Sequence, residues 1–266
     1  MSYYDDDTID QDSFDVKNYS LNICDCNNKL FEKSPQFVLF PKYTYSSGHT
    51  SKLTIQTDPI RMLQHSGIPR LGVWRRHNNE CMYFYIAFLK SDNGSIKLYN
   101  NVVNPINSKN MAELVTKKNE SKFACRYNKD SEIVPFKNLA CCNMIQKIRN
   151  GYEEEDSEDD DDKPNGDIIG KIKVKLDIEH DYDKPHNSTE DKIKTEVYAK
   201  QKNGTIVKKE IGNLDDLRKI LKFGCKAEFE LNFYKLWINK CAHSGVNGDK
   251  YPCGMSIKCT KMLIYE

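Results

Sequence analysis

The run AEFELNFYKLWIN (227–239) and the final run CGMSIKCTKMLIYE (253–266) flank a loop, KCAHSGVNGDKYP (240–252), that holds a Cys, a His and two Gly. Two readings compete. In one, Cys241, His243, Cys253 and Cys259 ligate zinc. In the other, the runs are neighbouring strands of a sheet and the loop only connects them. Structural zinc sites pair their ligands two to five residues apart, whereas one, nine and five residues intervene here. Cys259 also falls in phase with Ile257 and Leu263, which places it in a core. The strand reading is favoured, and no metal is assigned.

Strand signals continue upstream. FVLFPKYTY (37–45) is rich in β-formers, with Pro41 marking an edge or a bend. KLTIQTDPI (52–60) alternates Leu53 and Ile55 with Lys52, Thr54 and Gln56. CMYFYIAFLK (81–90) is almost continuously apolar, the pattern of a central strand, and SDNGS followed by IKLYNNVV (96–103) reads as its turn and hairpin partner. GKIKVKLDI (170–178) alternates Lys171, Lys173 and Lys175 with apolar residues. IKTEVYAK and TIVKKEI form a hairpin through QKNG (201–204). Helices are predicted over 108–118, over 136–151 and, capped by Asn213 and stopped by Gly224, over 214–223. Many short strands with few helices imply a mainly β chain with α insertions, whose sheet edges need closure, as in a barrel.

The net charge of +1 conceals a segregation. Residues 1–16 carry six Asp and no base, and EEEDSEDDDD (153–162) carries nine acids. Setting these aside leaves 24 acids against 40 bases, a surplus of 16. The body is basic and attracts polyanions. Residues 1–17 read as an acidic disordered tail. Residues 18–266 read as one domain, interrupted by a solvated acidic insertion at about 151–167. The opening residues carry no apolar leader and no 18-residue apolar run occurs, so an intracellular chain without a membrane span is expected. Its ten cysteines are then expected to be reduced thiols. Nucleotide-binding, nucleophile-elbow and zinc-protease motifs are all missing, so no catalytic residue and no cofactor are assigned.

Single-stranded nucleic acid asks for cations on phosphates and flat rings on bases. Candidate stacking residues are Trp74, Tyr83, Tyr85, Phe233 and Trp237. Candidate phosphate contacts are Arg75, Arg76, Lys171, Lys173, Lys175, Lys235 and Lys240. Tyr83 and Tyr85 share one strand face; Phe233, Lys235 and Trp237 are expected to share another. The bland alternative is that the rings are core and the lysines merely solubilise.

Three segments resemble the OB-fold single-stranded DNA-binding proteins of large eukaryotic DNA viruses, the group that includes those of African swine fever virus and giant viruses. They are KLTIQTDPIRMLQHSGIPRLG (52–72), IGNLDDLRKILKFGCKAEFELNFYKLWIN (211–239) and CGMSIKCTKMLIYE (253–266). The resemblance implies an OB-like barrel with helical and acidic-loop elaborations. It further implies a non-catalytic protein that coats single-stranded DNA during viral replication, recombination or repair, in a cytoplasmic factory or the nucleus. Expected partners are single-stranded DNA, viral replication proteins met through the acidic segments, and further copies of the chain on DNA. Two rivals are a viral scaffold or interaction protein, and an RNA-binding or transcription accessory module holding zinc.

Overall fold

A computed structural model describes residues 7–23, 36–63, 68, 82–117, 124–126, 133–135, 139–141, 144–145, 168–179, 192–239 and 251–266. Strands β1 (Ile9–Asp10) and β2 (Tyr19–Ile23) are separated by a 3-10 turn, Val16–Asn18. Then come β3 (Gln36–Thr44), β4 (Thr50–Gln56), β5 (Ile60–Arg61) and β6 (Tyr83–Leu89). A helical stretch follows: α1 (Asn93–Lys97), a π-helical segment (Leu98–Val103) and α2 (Asn104–Lys117). Short strands β7 (Ala124–Arg126), β8 (Ile133–Pro135) and β9 (Leu139–Cys141) precede β10 (Ile168–Leu176). After β11 (Ile178–Glu179) and β12 (Lys192–Ile193) come the hairpin β13 (Glu196–Lys200) and β14 (Ile206–Lys209), then α3 (Leu214–Ile220). The chain ends in its two longest strands, β15 (Lys226–Asn239) and β16 (Tyr251–Tyr265).

β15 and β16 pair antiparallel from Lys226↔Tyr265 to Ile238↔Cys253, which answers the question raised by the two runs in favour of neighbouring strands. Each long strand is tiled on its other edge by three shorter ones. β5, β4 and β3 lie along β15, and β9, β10 and β13 lie along β16. β3 passes from β15 to β4 between Leu39 and Lys42, so Pro41 sits where the strand changes partner on that side. The inner face carries Phe229, Leu231, Phe233, Leu236 and Ile238 from β15, with Ile257, Cys259, Met262 and Ile264 from β16. Phe84 of β6 packs on Phe229 with ring centroids 5.1 Å apart. Each such side chain contributes about 1.5–3 kcal/mol by leaving water.

Two register shifts interrupt the long ladder. Thr260 is passed over on β16, so that Met262 and Ile264, rather than Leu263, join Cys259 on the core side. Tyr234 is passed over on β15. An extra residue in one strand bends it and reverses which side chains face inward beyond that point.

The architecture is mainly β with an α insertion between β6 and β7. Among the described residues the main sheet runs β1-β4-β3-β15-β16-β10-β6 and its ends are not paired with each other, so it is not closed into a barrel. No helix among the described residues is long and apolar enough to cross a membrane.

Several local expectations are corrected. IKLYNNVV is helical, not the partner of β6. The Asp92 carboxylate accepts from the Ser95 amide at 3.1 Å and starts α1, and Leu98, Val102, Val103 and Ile106 are buried at helical spacing. β6 pairs instead with β10 and lies at the end of the sheet path, not at its centre. Its apolar run combines core side chains at Phe84, Ile86 and Phe88 with the low exposure of Tyr83 and Ala87 on the other face. Leu139–Cys141, expected in a helix, is a strand parallel to β16. The acidic tail is not disordered over residues 7–17: Ile9, Gln11 and Phe14 are buried, and β1 pairs with β4. Lys97 Nζ joins Asp12 at 2.5 Å and Asp58 at 3.0 Å, and those two hydrogen bonds push its pKa up to about 12. The insertion at about 151–167 lies outside the described residues.

Gly94 shows how closely the α insertion is seated. A Cβ there would stand 2.4 Å from the Pro59 carbonyl oxygen, a backbone atom that cannot swing aside. Gly94→Ala is expected to destabilise the fold by about 1–3 kcal/mol through overpacking, read as a lower urea midpoint at unchanged slope. An unchanged midpoint would show that α1 does not rest on that turn.

Candidate nucleic-acid interface

β6 and β10 pair antiparallel with Lys171 opposite Ala87, Lys173 opposite Tyr85 and Lys175 opposite Tyr83. Alternation sends Phe84, Ile86, Phe88, Ile172 and Val174 into the core. It sends Tyr83, Tyr85 and the three lysines to the opposite face. There the side chains meet diagonally. Lys171 Nζ lies 4.1 Å from the Tyr85 ring centroid, and Lys173 Nζ lies 3.7 Å from that of Tyr83. The two rings meet edge to face at 5.3 Å. Tyr83 is only 7% exposed and Tyr85 is half-buried, while Lys173 and Lys175 are exposed.

The same face continues across the sheet. Lys175 is in register with Lys258 of β16, Lys258 with Asn232 of β15, and Asn232 with Thr54 of β4. The Asn232 side-chain amide donates to the Thr54 hydroxyl at 3.2 Å. Lys258 Nζ pairs with Asp177 at 2.8 Å and also lies 5.2 Å from the ring of Tyr234, which Lys235 approaches at 5.9 Å. Further along, Trp237 faces Gly254. A Cβ on Gly254 would stand 2.8 Å from Trp237 Cζ2 and 3.1 Å from Cε2, so the indole ring occupies the space that glycine leaves. Gly254 therefore makes room for the tryptophan. On the β4 side, Lys42 and Lys52 stand directly opposite each other. Acidic groups share this face: Asp177 beside Lys258 and, toward the other end of β15, Glu230, buried and 3.7 Å from Lys261, and Glu228, which accepts from the Tyr265 hydroxyl. Burial, and then the bond to Glu228, push the Tyr265 phenol well above its usual range.

The expected residues divide as follows. Tyr83, Tyr85, Trp237, Lys171, Lys173, Lys175 and Lys235 share one face. Phe233 does not: it is 0% exposed and lies in the core. The expectation that Phe233, Lys235 and Trp237 share a face fails because Tyr234 is the unmatched residue of the register shift, which reverses the alternation between Phe233 and Trp237. The apolar spacing Leu231, Phe233, Leu236, Ile238 carries this signal, since it steps two, three and two. Tyr234, Lys258, Lys42 and Lys52 were missed, and they belong to the same surface. Trp74, Arg75, Arg76 and Lys240 lie outside the described residues.

The zinc alternative loses two of its four groups. Cys253 is disulfide-bonded, which also corrects the expectation that all thiols are reduced. Cys259 is buried, its thiol donating to the Lys261 carbonyl at 3.1 Å, and burial pushes it well above the ordinary thiol range. Cys241 and His243 lie outside the described residues. Among the described residues no three His, Cys, Asp or Glu side chains gather as a metal site.

The chain matches no family model, and no curated protein matches it in sequence.

The Trp237–Gly254 contact is open to a direct check. Gly254→Ala should displace the indole, shift tryptophan emission and cost about 1–3 kcal/mol. In a Trp237→Leu background the same substitution should cost little, since the partner is gone. Equal costs in both backgrounds would refute the contact.

Proposed function

We propose that the chain is a non-catalytic single-stranded DNA-binding protein with an OB-like fold, and that DNA lies across the face carrying Tyr85, Tyr234, Trp237 and the lysines of β10, β15 and β16. Viral replication, recombination or repair is the setting that the family resemblance suggests, with the acidic run 153–162 available to recruit replication proteins.

The observation that carries this reading is that lysines and aromatic rings from four separate strands share one face. One feature opposes the alternative that these lysines only solubilise. Lys42 stands directly across from Lys52 in an antiparallel pair. Like charges placed opposite each other destabilise a sheet by a few tenths of a kcal/mol or more. A solubilising surface has no reason to bear that cost, whereas a polyanion reverses its sign. The rings then supply what a bare cationic patch lacks, since stacking contributes about 1–3 kcal/mol per base and tolerates every base.

Titration of fluorescent oligo-dT at several salt concentrations tests the proposal. For a single strand the log–log slope is about −0.7 per phosphate neutralised. Engagement of Lys171, Lys173, Lys175, Lys235 and Lys258 therefore predicts a slope of about −3.5. Lys175→Ala should make it shallower by about 0.7. Competition with duplex DNA and with RNA of equal length should leave oligo-dT the tightest ligand. Absence of oligo-dT binding at 50 mM salt, or tighter binding to RNA, would overturn the assignment.

A further inference from the structure

We infer that Lys171 and Lys173 exchange partners when single-stranded DNA binds: in the unliganded chain they cover the rings of Tyr85 and Tyr83, and on the complex they move to phosphates while bases take over the ring faces. The inference rests on the function just proposed and deepens it, because it names the residues that make the site selective for a strand with unpaired bases over other polyanions.

The geometry is the starting point. Each lysine bypasses the tyrosine directly opposite, or the alanine in the case of Lys171, and reaches diagonally so that its ammonium lies over a ring at 4.1 or 3.7 Å. At such distances the cation is attracted by the electron-rich ring face. Lys258 and Lys235 approach the Tyr234 ring in the same way, at 5.2 and 5.9 Å. The rings of this face are therefore not bare platforms. They are already occupied by the cations that phosphates would recruit.

Selectivity follows from the balance of what is lost and gained. A polyanion without bases draws each ammonium away from its ring and so forfeits the cation–ring attraction. A strand with unpaired bases restores cover to the same ring by stacking, which is worth at least as much. A duplex keeps its bases inside and behaves like the first case. The lysine–tyrosine pairs thus act as a penalty on phosphate chains that bring no flat group. Tyr85 is the leading member, because it is half-buried whereas Tyr83 is nearly covered.

The test compares oligo-dT with an abasic strand of the same length, which keeps the phosphates and removes the bases. The unaltered protein should prefer oligo-dT by at least tenfold. Tyr85→Leu should weaken oligo-dT binding about fivefold or more and leave the abasic strand unchanged or tighter, since Lys171 is released from the ring. As a second readout, lysine-selective labelling should show upfield ε-CH2 resonances for Lys171 and Lys173, caused by the ring currents, that move downfield when oligo-dT saturates the protein. Oligo-dT binding with those resonances still upfield, or a dT-to-abasic ratio unaltered by Tyr85→Leu, would overturn the exchange and leave DNA binding intact. Failure of oligo-dT itself to bind would overturn the function and the exchange with it.

Discussion

The constraint on which this molecule depends is the register of β15 against β16. These two strands span the sheet, and the strands along each are placed by hydrogen bonds to one or the other. A slip of one residue would turn Phe229, Leu231 and Phe233 outward and bring charged neighbours into the core, so burial fixes the register strongly. The two register shifts are part of that design. They let one face stay apolar on both sides of each irregularity while the opposite face changes character along β15. Near Glu228 and Glu230 it is acidic and internally paired; from Asn232 to Trp237 it is basic and aromatic. The boundary between structural and candidate functional surface falls within a single strand.

Charge on this sheet is handled in two ways. Where it serves stability, it is paired. Lys261 faces Glu230, Lys208 faces Glu196, and Lys209 faces Glu266. The Lys208 bond, the largest influence on Glu196, holds that carboxyl below its usual range. On the candidate interface, Lys175 stands opposite Lys258, which also meets Asp177, while Lys171 and Lys173 lie over tyrosine rings. On the proposed function, an anionic ligand would offset repulsion between like charges on this face, and the rings would bias which anion does so.

Much of this was legible in the sequence because it is local. The lysine alternation of β10, the alternation at Leu53 and Ile55, the Asn-Gly turn of the β13–β14 hairpin and the Asn213 cap are each set by side-chain period or by one short-range bond. Gly204 adopts φ +84 in that turn, and Asn213 accepts from the Asp215 and Asp216 amides. The failures are long-range. IKLYNNVV holds enough β-formers to pass for a strand, but the Asp92 cap and four buried apolar side chains draw it into a helix. Phe233 looks co-facial with Trp237 by simple parity, and only a three-residue step in the apolar spacing betrays the shift. Leu139–Cys141 becomes a strand because Tyr251–Cys253 presents an edge 112 residues later in the chain, and nothing in its own composition records that.

The two acidic stretches show the same limit in another form. By composition they are alike, and both invite description as solvated appendages. The N-terminal one is instead built into the fold where it is described. Asp12 binds Lys97; Asp15 caps the turn that begins at Val16; Asp7 accepts from the hydroxyl of Ser51 at its carboxylate and from that of Tyr45 at its carbonyl. Lys109 of α2 reaches back to the carbonyls of Val16 and Tyr19, and the Tyr19 hydroxyl donates to Asn110 at 2.6 Å. Carboxylates committed in this way hold β1 against β4 and tie the opening segment to the helices, and they are not available to imitate a nucleic acid. What separates this stretch from EEEDSEDDDD is not its charge but the Ile9, Gln11 and Phe14 set among its aspartates, side chains whose burial anchors the acids around them. The longer run has no apolar residue between Glu153 and Asp162. Its composition offers no such side chain within the run.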